Sequence, residues 1–438
     1  MSEDPLSGIP SDVIEVLPVQ GPINAVVRPP GSKSITNRAL VCAGLASGES
    51  RLSGVLFADD TEAMLSCLAE LGVGIARDEA SNAVSVLGVG GLPSNEGAVL
   101  DARLSGTTSR FVAPLAALGN STVILDGALP LRLRPMGELL DALARLGASI
   151  EPLGEPGFLP VQIDGRGLDG GIVELSGDVS SQFLSGLLLA APAMRQGLRV
   201  QIVTELVSKP YIDMTLGVMA DFGVVGTNDS YRRLEVGPQR YEALDHYQIE
   251  PDASAASYFL AAAAVTGGRV RIEGLGRKSS QGDIAFVNVL EQMGCEVRWE
   301  DHGVELVGSD DLRGVELDMS DISDVAQTLA VVATRASTPT RVTGIGFIRM
   351  KETDRLRAVV TELNRLGIEA VEEPDGFTVQ PGAPRAGIVQ TYDDHRMAMS
   401  FAILGLVTDG IRIADPHCVA KTYPAFWQDL DALRMTGK

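Results

Sequence analysis

A chain of 438 residues, 21% charged and 45% hydrophobic, is too long for one ordinary domain and holds enough apolar material for large cores, so two or three domains are expected. A net charge of -21 excludes a general nucleic-acid or anionic-membrane binder, although local arginine clusters can still hold a small anion. The acidic opening "MSEDPLSGIP" shows no apolar run of a signal or transit peptide, and the apolar stretch "AASYFLAAAAV" is too short to span a bilayer, so a cytoplasmic protein is expected.

The first predicted helix is entered through "RPPGSKSITNRAL". This segment is close to a P-loop, but that loop needs glycine directly before lysine, and here Ser32 separates Gly31 from Lys33. From this point two tracks of helices repeat. The first track ends each time in glycine: "MLSCLAELG" at Gly72, "LLDALARLG" at Gly147, "TLGVMADFG" at Gly223, "FVNVLEQMG" at Gly294, "VVTELNRLG" at Gly367 and a worn "DLDALRMTG" at Gly437. Each copy reads as an amphipathic helix closed by a C-terminal glycine. Segments that follow, such as "ASIEPL", "CEVRWE" and "IEAVEE", read as strands. The second track consists of helices beginning near Ser34, Thr107, Ser181, Ala253, Asp324 and His395, apolar nearly all round and therefore buried. Both tracks step by about 73 residues. Such a unit is longer than the usual solenoid repeat of roughly 20–50 residues. A single core stops growing at about 250–300 residues, which favours two α/β globes of three units each. Cys42, Cys67, Cys295 and Cys418 form no C-x-x-C pair and read as reduced, packed thiols. No His/Cys cluster has metal-ligand spacing, and no G-x-S-x-G elbow or strand-borne G-x-G-x-x-G occurs.

The buried helices begin with small polar or acidic residues, where free N–H groups and the helix dipole favour anions. Parallel helices would gather these tips at one end of each globe, facing across a cleft. Basic residues crowd the tips despite the acidic total: Lys33 and Arg38 at the first, Arg110 at the second, His395 and Arg396 at the sixth. The lead-ins of the amphipathic helices add Arg132, Arg134, Lys209, Lys351, Arg355 and Lys421. A ligand with several negative groups is expected, bridging cations that are otherwise unpaired. Taken singly, each feature has a plainer reading: a helix cap, or for "KETDR" a surface ion pair. Their common phase in the repeat favours function.

These motifs, "PGSKSITNRAL", "SGTTSRFVAPLAAL", "RLRPMGELLDAL", "SSQFLSGLLLAAP", "LVSKPYIDMTL", "DVAQTLAVVAT", "MKETDRL", "YDDHRMAM" and "CVAKTYPAF", in this order and nearly end to end, resemble the EPSP synthase family of enolpyruvyl transferases. The resemblance implies an inside-out α/β barrel fold of six βαβαββ repeats in two globes. Residues 32–249 would form one globe, and 1–31 with 250–438 the other, with two chain crossings at a hinge. It implies transfer of the enolpyruvyl group of phosphoenolpyruvate to the 5-hydroxyl of shikimate 3-phosphate, releasing phosphate. The implied partners are these small molecules, with no nucleic acid, membrane, metal or organic cofactor, and the chain is expected to act as a monomer. Globe closure on shikimate 3-phosphate is a further expectation.

Residue by residue, Lys33 matches a contact to both substrates. Ser34, Arg38, Ser180, Ser181, Gln182, Ser208, Tyr211, Asp324 and Lys351 match shikimate 3-phosphate contacts. Gly106, Arg134, Gln182, Arg355, Arg396 and Lys421 match phosphoenolpyruvate contacts. Asp324, Glu352 and Lys33 match the proton-transfer residues; Glu352 is the candidate acid toward the methylene carbon, and Asp324 or Lys33 the base for the hydroxyl. Leu104, Phe111 and Phe347 depart from residues common in the family, which bears on shikimate-side hydrogen bonds and the inhibitor pocket. Gly106 keeps the small residue associated with glyphosate sensitivity, so inhibition is expected. A sister enzyme acting on a UDP-sugar uses a loop cysteine that "LPLRLRP" lacks. A non-catalytic phospho-ligand-binding homologue is opposed by the presence of Lys33, Asp324, Glu352 and Lys421.

Overall fold

The computed structural model describes residues 12–93, 97–178 and 180–437, so the N-terminal stretch read for targeting signals lies outside the described residues. Strands β1 (Val13–Val16) and β2 (Asn24–Val27) come first. The first repeat continues with α1 (Lys33–Leu45), β3 (Ser47–Ser53), α2 (Asp59–Glu70), β4 (Gly74–Asp78) and β5 (Ala83–Val89). The second comprises β6 (Val99–Asp101), α3 (Gly106–Leu118), β7 (Thr122–Asp126), a short α4 (Leu129–Arg132), α5 (Gly137–Arg145), β8 (Ser149–Pro152) and β9 (Val161–Asp164). The third comprises β10 (Gly171–Leu175), α6 (Ser181–Ala190), β11 (Leu198–Ile202), α7 (Lys209–Asp221), β12 (Thr227–Asp229) and β13 (Arg233–Val236), after which β14 (Tyr247–Gln248) stands apart. The fourth holds α8 (Ala253–Thr266), β15 (Arg269–Glu273), α9 (Phe286–Gln292), β16 (Glu296–Trp299) and β17 (Gly303–Val307). The fifth holds β18 (Glu316–Asp318), α10 (Ala326–Ala333), β19 (Thr340–Thr343), α11 (Arg355–Arg365), β20 (Ala370–Glu373) and β21 (Gly376–Val379). The sixth holds β22 (Gly387–Val389), α12 (His395–Gly405), β23 (Ile411–Ala414) and α13 (Phe426–Arg434).

One sheet plan recurs. In the order β6-β7-β9-β8, β6 runs parallel to β7, while β9 is antiparallel to both β7 and β8. The buried helix α3 is the crossover that a parallel pair requires. The orders β10-β11-β13-β12, β18-β19-β21-β20, β14-β3-β5-β4 and β16-β17-β15-β2 follow the same plan. Three repeats borrow a strand from elsewhere in the chain: β14 completes the first, β2 the fourth and β1 the sixth. The sixth sheet has three described strands, β1-β23-β22.

Contacts divide the chain into two compact units, Met1–Pro29 with Ala253–Lys438 and Pro30–Asp252, each with its own apolar core. In Pro30–Asp252, α1, α3 and α6 are buried along most of their length, as helices apolar on every side must be. In the other unit α8, α10 and α12 do the same. There the three helices meet through hydroxyls: Ser257 Oγ lies 3.3 Å from Thr328 Oγ1, which lies 3.2 Å from Ser400 Oγ. At the matching level of Pro30–Asp252 stand Arg38, Phe111 and Ser185, with Arg38 Nη2 donating to Ser185 Oγ at 3.2 Å. The amphipathic helices end at glycines in the left-handed region, Gly72 (φ 90), Gly147 (φ 109), Gly223 (φ 84), Gly294 (φ 111) and Gly367 (φ 83), where a Cβ would be strained. Asp324 does not open α10: it sits on a 3-10 turn, Ser323–Val325, just before it. No described helix is long and apolar enough to cross a membrane.

Candidate active site

In Pro30–Asp252 the polar groups collect at the starts of α1, α2, α3, α6 and α7. Ser32 caps α1: its Oγ accepts the N–H of Ile35 at 3.4 Å. Lys33 is the first helical residue, its N–H donating to Asp252 Oδ2 and its Nζ to Asp60 Oδ2, each at 3.1 Å. Asp60 is buried in the first turn of α2. Arg38, one turn further along α1, uses its whole fork inside the protein. Nε donates to Thr215 Oγ1 (2.8 Å), Nη1 to the Ser34 carbonyl (2.8 Å), and Nη2 to Ser185 Oγ and the Tyr211 carbonyl (both 3.2 Å). The Phe111 and Tyr211 ring centroids lie 5.3 and 5.9 Å from its Cζ. Burial lowers Arg38 to about 10, which leaves it charged at neutral pH.

Gly106 opens α3, capped by Ser105 Oγ accepting from Thr108 N–H at 3.2 Å. A Cβ on Gly106 would lie 2.3 Å from Arg110 Nη1 and 2.7 Å from Arg134 Nη1, so two guanidinium groups press against this helix start. Arg110 Nη1 donates to Gln182 Oε1 at 2.8 Å, and Gln182 Nε2 donates to Thr107 Oγ1 at 3.2 Å. Ser180 caps α6, Ser181 is its first residue, and Ser180 Oγ accepts the N–H of Gln182 at 3.3 Å. Ser208 is buried before α7 in the left-handed region (φ 56). Leu104, half-buried just before α3, lines an open hollow with Asp59, Asp101 and Arg103. Arg132 and Lys209 turn instead to surface partners, Asp126 at 2.6 Å and Glu205 at 3.6 Å.

In Met1–Pro29 with Ala253–Lys438, charge is denser. Asp324 Oδ1 accepts Lys351 Nζ and Arg355 Nη1, each at 3.1 Å, and Oδ2 accepts Arg396 Nη2 at 2.8 Å. Glu352 Oε2 accepts Arg355 Nη2 at 2.8 Å, and Oε1 lies 3.2 Å from Lys421 Nζ. Arg355 Nε also donates to Asp394 Oδ2 at 2.7 Å. Four cations, Lys351, Arg355, Arg396 and Lys421, thus share three carboxylates, Asp324, Glu352 and Asp394. Burial pulls Arg355 down, but Asp394, Glu352 and Asp324 hold it above its ordinary value. Burial lowers Lys351, and Asp324 draws it partly back. Phe347 is half-buried on the 3-10 turn, Gly346–Met350, that leads to Lys351.

The expected unpaired cations are therefore not unpaired: Lys33, Lys351, Arg355, Arg396 and Lys421 all have carboxylate partners. The reason is desolvation, because a buried charge without a counter-charge costs far more than an exposed one. Three residues at these tips escaped the motif reading of site roles: Asp60, Arg110 and Asp394. "FADDTEAML", "GTTSR" and "YDDHR" sit at repeat tips, so their phase was the available signal.

The fold is that of the enolpyruvyl transferases: one from Streptomyces tendae aligns with a TM-score of 0.75 at 19% identity, over 96% of this chain and 97% of that one. An EPSP synthase from Acinetobacter baumannii aligns with a TM-score of 0.82 at 26% identity, over 95% and 97% of the two chains. The chain belongs to the EPSP synthase (3-phosphoshikimate 1-carboxyvinyltransferase) family, whose model matches residues 18–430. A relative from Nostoc punctiforme, a 3-phosphoshikimate 1-carboxyvinyltransferase, is 46% identical over 418 residues, 95% of this chain and 98% of the relative.

Proposed function

We infer that this chain transfers the enolpyruvyl group of phosphoenolpyruvate to the 5-hydroxyl of shikimate 3-phosphate, in the shikimate route to chorismate and the aromatic amino acids. The observation that carries the reading is the set of four cations on three carboxylates around Asp324 and Glu352, within a chain of this family. Lys33, Gly106, Arg134, Gln182, Arg355, Arg396 and Lys421 are assigned to phosphoenolpyruvate, whose phosphate and carboxylate match forked and point cations. Lys33, Ser34, Ser180, Ser181, Gln182, Ser208, Tyr211, Asp324 and Lys351 are assigned to shikimate 3-phosphate. Arg38 is assigned there too, acting through Ser34 and Tyr211, whose carbonyls it holds.

The reaction is an addition followed by an elimination. The 5-hydroxyl oxygen bonds to C2 of phosphoenolpyruvate, its proton passes to a base (Asp324 or Lys33), and Glu352 gives a proton to C3. Phosphate then leaves C2 as a C3 proton is removed, restoring the double bond. Glu352 accepts from Arg355 Nη2 and pairs with Lys421 Nζ. An anionic substrate competing for those two cations releases Glu352 for proton transfer, which couples binding to chemistry. The reading includes action as a cytoplasmic monomer on small molecules. Phosphate release with shikimate 3-phosphate and phosphoenolpyruvate tests it. Turnover with that pair is expected; turnover only with a UDP-sugar acceptor, or none with either, overturns it.

A further inference from the structure

Behind the arginines assigned to phosphoenolpyruvate lies a closed ring of contacts. Helix α11 begins at Arg355 and carries Glu362 two turns later on the same face. Glu362 is completely buried, and a carboxylate in that position needs partners. Its Oε1 accepts the Tyr392 hydroxyl at 2.6 Å, and its Oε2 accepts the N–H of Gln390 at 3.0 Å. Arg365, on the same helix, lies 3.5 Å from Oε1. Both strong donors belong to "QTYDDHR", the segment leading into α12. That segment turns through two consecutive non-glycine residues in the left-handed region, Tyr392 (φ 56) and Asp393 (φ 57). A tyrosine disfavours this conformation and keeps it only when its surroundings hold it there. The next residue, Asp394, is fully buried. Asp394 caps α12 by accepting the N–H of Arg396 at 2.9 Å, and it takes Arg355 Nε at 2.7 Å and Nη2 at 3.3 Å. The ring runs from Arg355 along α11 to Glu362, across to Tyr392, through the turn to Asp394, and back to Arg355.

We propose that Glu362 and Tyr392 are positioning residues for phosphoenolpyruvate capture, their hydrogen bond holding the turn that lets Asp394 fix the Arg355 guanidinium and the backbone of Arg396 together. The proposal rests on the assignment of those two arginines to phosphoenolpyruvate. A role limited to general stability would affect both substrates alike. A positioning role affects phosphoenolpyruvate most, because of the residues assigned to shikimate 3-phosphate only Asp324 takes Arg355 and Arg396, while Ser34, Arg38, Ser180, Ser181 and Ser208 belong to the elements α1, α6 and α7.

The test is steady-state kinetics with each substrate varied in turn, together with amide hydrogen exchange across residues 390–396. Tyr392→Phe removes only the hydroxyl from a side chain that is 40% exposed, so the variant is expected to fold. It is expected to raise KM for phosphoenolpyruvate about five- to tenfold, leave KM for shikimate 3-phosphate within about twofold, and speed exchange in the turn. Glu362→Gln is expected to show the same split, and if it does not fold, Tyr392→Phe decides alone. Arg396→Gln is measured alongside. Equal rises for both substrates, unchanged exchange, or an unchanged phosphoenolpyruvate KM in Tyr392→Phe while Arg396→Gln raises it, each overturn the positioning role and leave the site assignment standing. An unchanged phosphoenolpyruvate KM in Arg396→Gln overturns the assignment itself and the proposal with it.

Discussion

Glu352 accepts from Arg355 Nη2 at 2.8 Å and lies 3.2 Å from Lys421 Nζ. Glu352→Gln keeps its size and removes its transferable proton, so turnover is expected to fall by about 10²–10⁴-fold while shikimate 3-phosphate binding stays measurable by calorimetry. Near-normal turnover would take Glu352 out of the proton-transfer role. At Gly106 the geometry is steric. An added Cβ would stand 2.3 Å from Arg110 Nη1 and 2.7 Å from Arg134 Nη1, and both are ends of flexible side chains. Gly106→Ala is therefore expected to fold, to push those guanidinium groups aside, and to raise KM for phosphoenolpyruvate by about tenfold; an unchanged KM would remove Gly106 and Arg134 from that substrate's site. Lys351 supplies a pH test, flanked by Asp324, Arg355 and Glu352. Burial lowers its pKa below 10.5, so the folded chain loses this proton at lower pH than the unfolded chain does. Between those two values the unfolded chain binds more protons, and the contribution of Lys351 to stability rises with pH. Lys351→Met should flatten that alkaline gain in urea midpoints, and an unaltered slope would show that Lys351 is not the group responsible.

At the scale of elements, the segment before α1 shows why a glycine stands where a P-loop would place another residue. A Cβ on Gly31 would fall 1.8 Å from the Gly54 carbonyl oxygen, a backbone atom with no rotamer to yield. Gly31 also bridges to Pro251, and the next N–H, from Ser32, donates to the Glu250 carbonyl at 2.8 Å. Gly31→Ala is expected to cost about 3 kcal/mol or more in denaturant unfolding and to shift α1 with Lys33. A loss below about 1 kcal/mol would mean that the loop relaxes freely. The same local logic made the helices legible in the sequence. Glycines closing α2, α5, α7, α9 and α11 lie in the left-handed region, and helices apolar on all sides are the buried ones. Asp324 was less legible, because a 3-10 turn and a following α-helix share the same polar start.

For the whole molecule, charge is the informative quantity. A net charge of -21 coexists with Lys33, Arg38, Arg110, Arg134, Lys351, Arg355, Arg396 and Lys421 at the helix tips. The acidic exterior repels anionic substrates at long range while the tips attract them at short range. Salt screens both, with a Debye length of about 30 Å at 0.01 M and about 3 Å at 1 M. KM values for both substrates are expected to rise with potassium chloride, because the short-range attractions are the ones substrate binding uses. KM values that stay flat or fall would mean that the acidic surface, rather than the tips, dominates capture.

The period of about 73 residues, the buried and amphipathic helix tracks, the α/β class and the ordered motifs followed from the sequence, because they depend on local apolar spacing and on glycine. Tertiary structure alone decided the rest. Strands β1, β2 and β14 join repeats distant in the chain, and strands of four, four and two residues carry no local mark of their partners. The counter-charges were hidden in the same way: Asp60 lies 27 residues from Lys33, and Asp394 lies 39 from Arg355. A sequence displays which residues carry charge, but only folding removes the water around them, and that desolvation brings Lys33, Lys351, Arg355, Arg396 and Lys421 onto carboxylates and Arg38 onto hydroxyls and carbonyls.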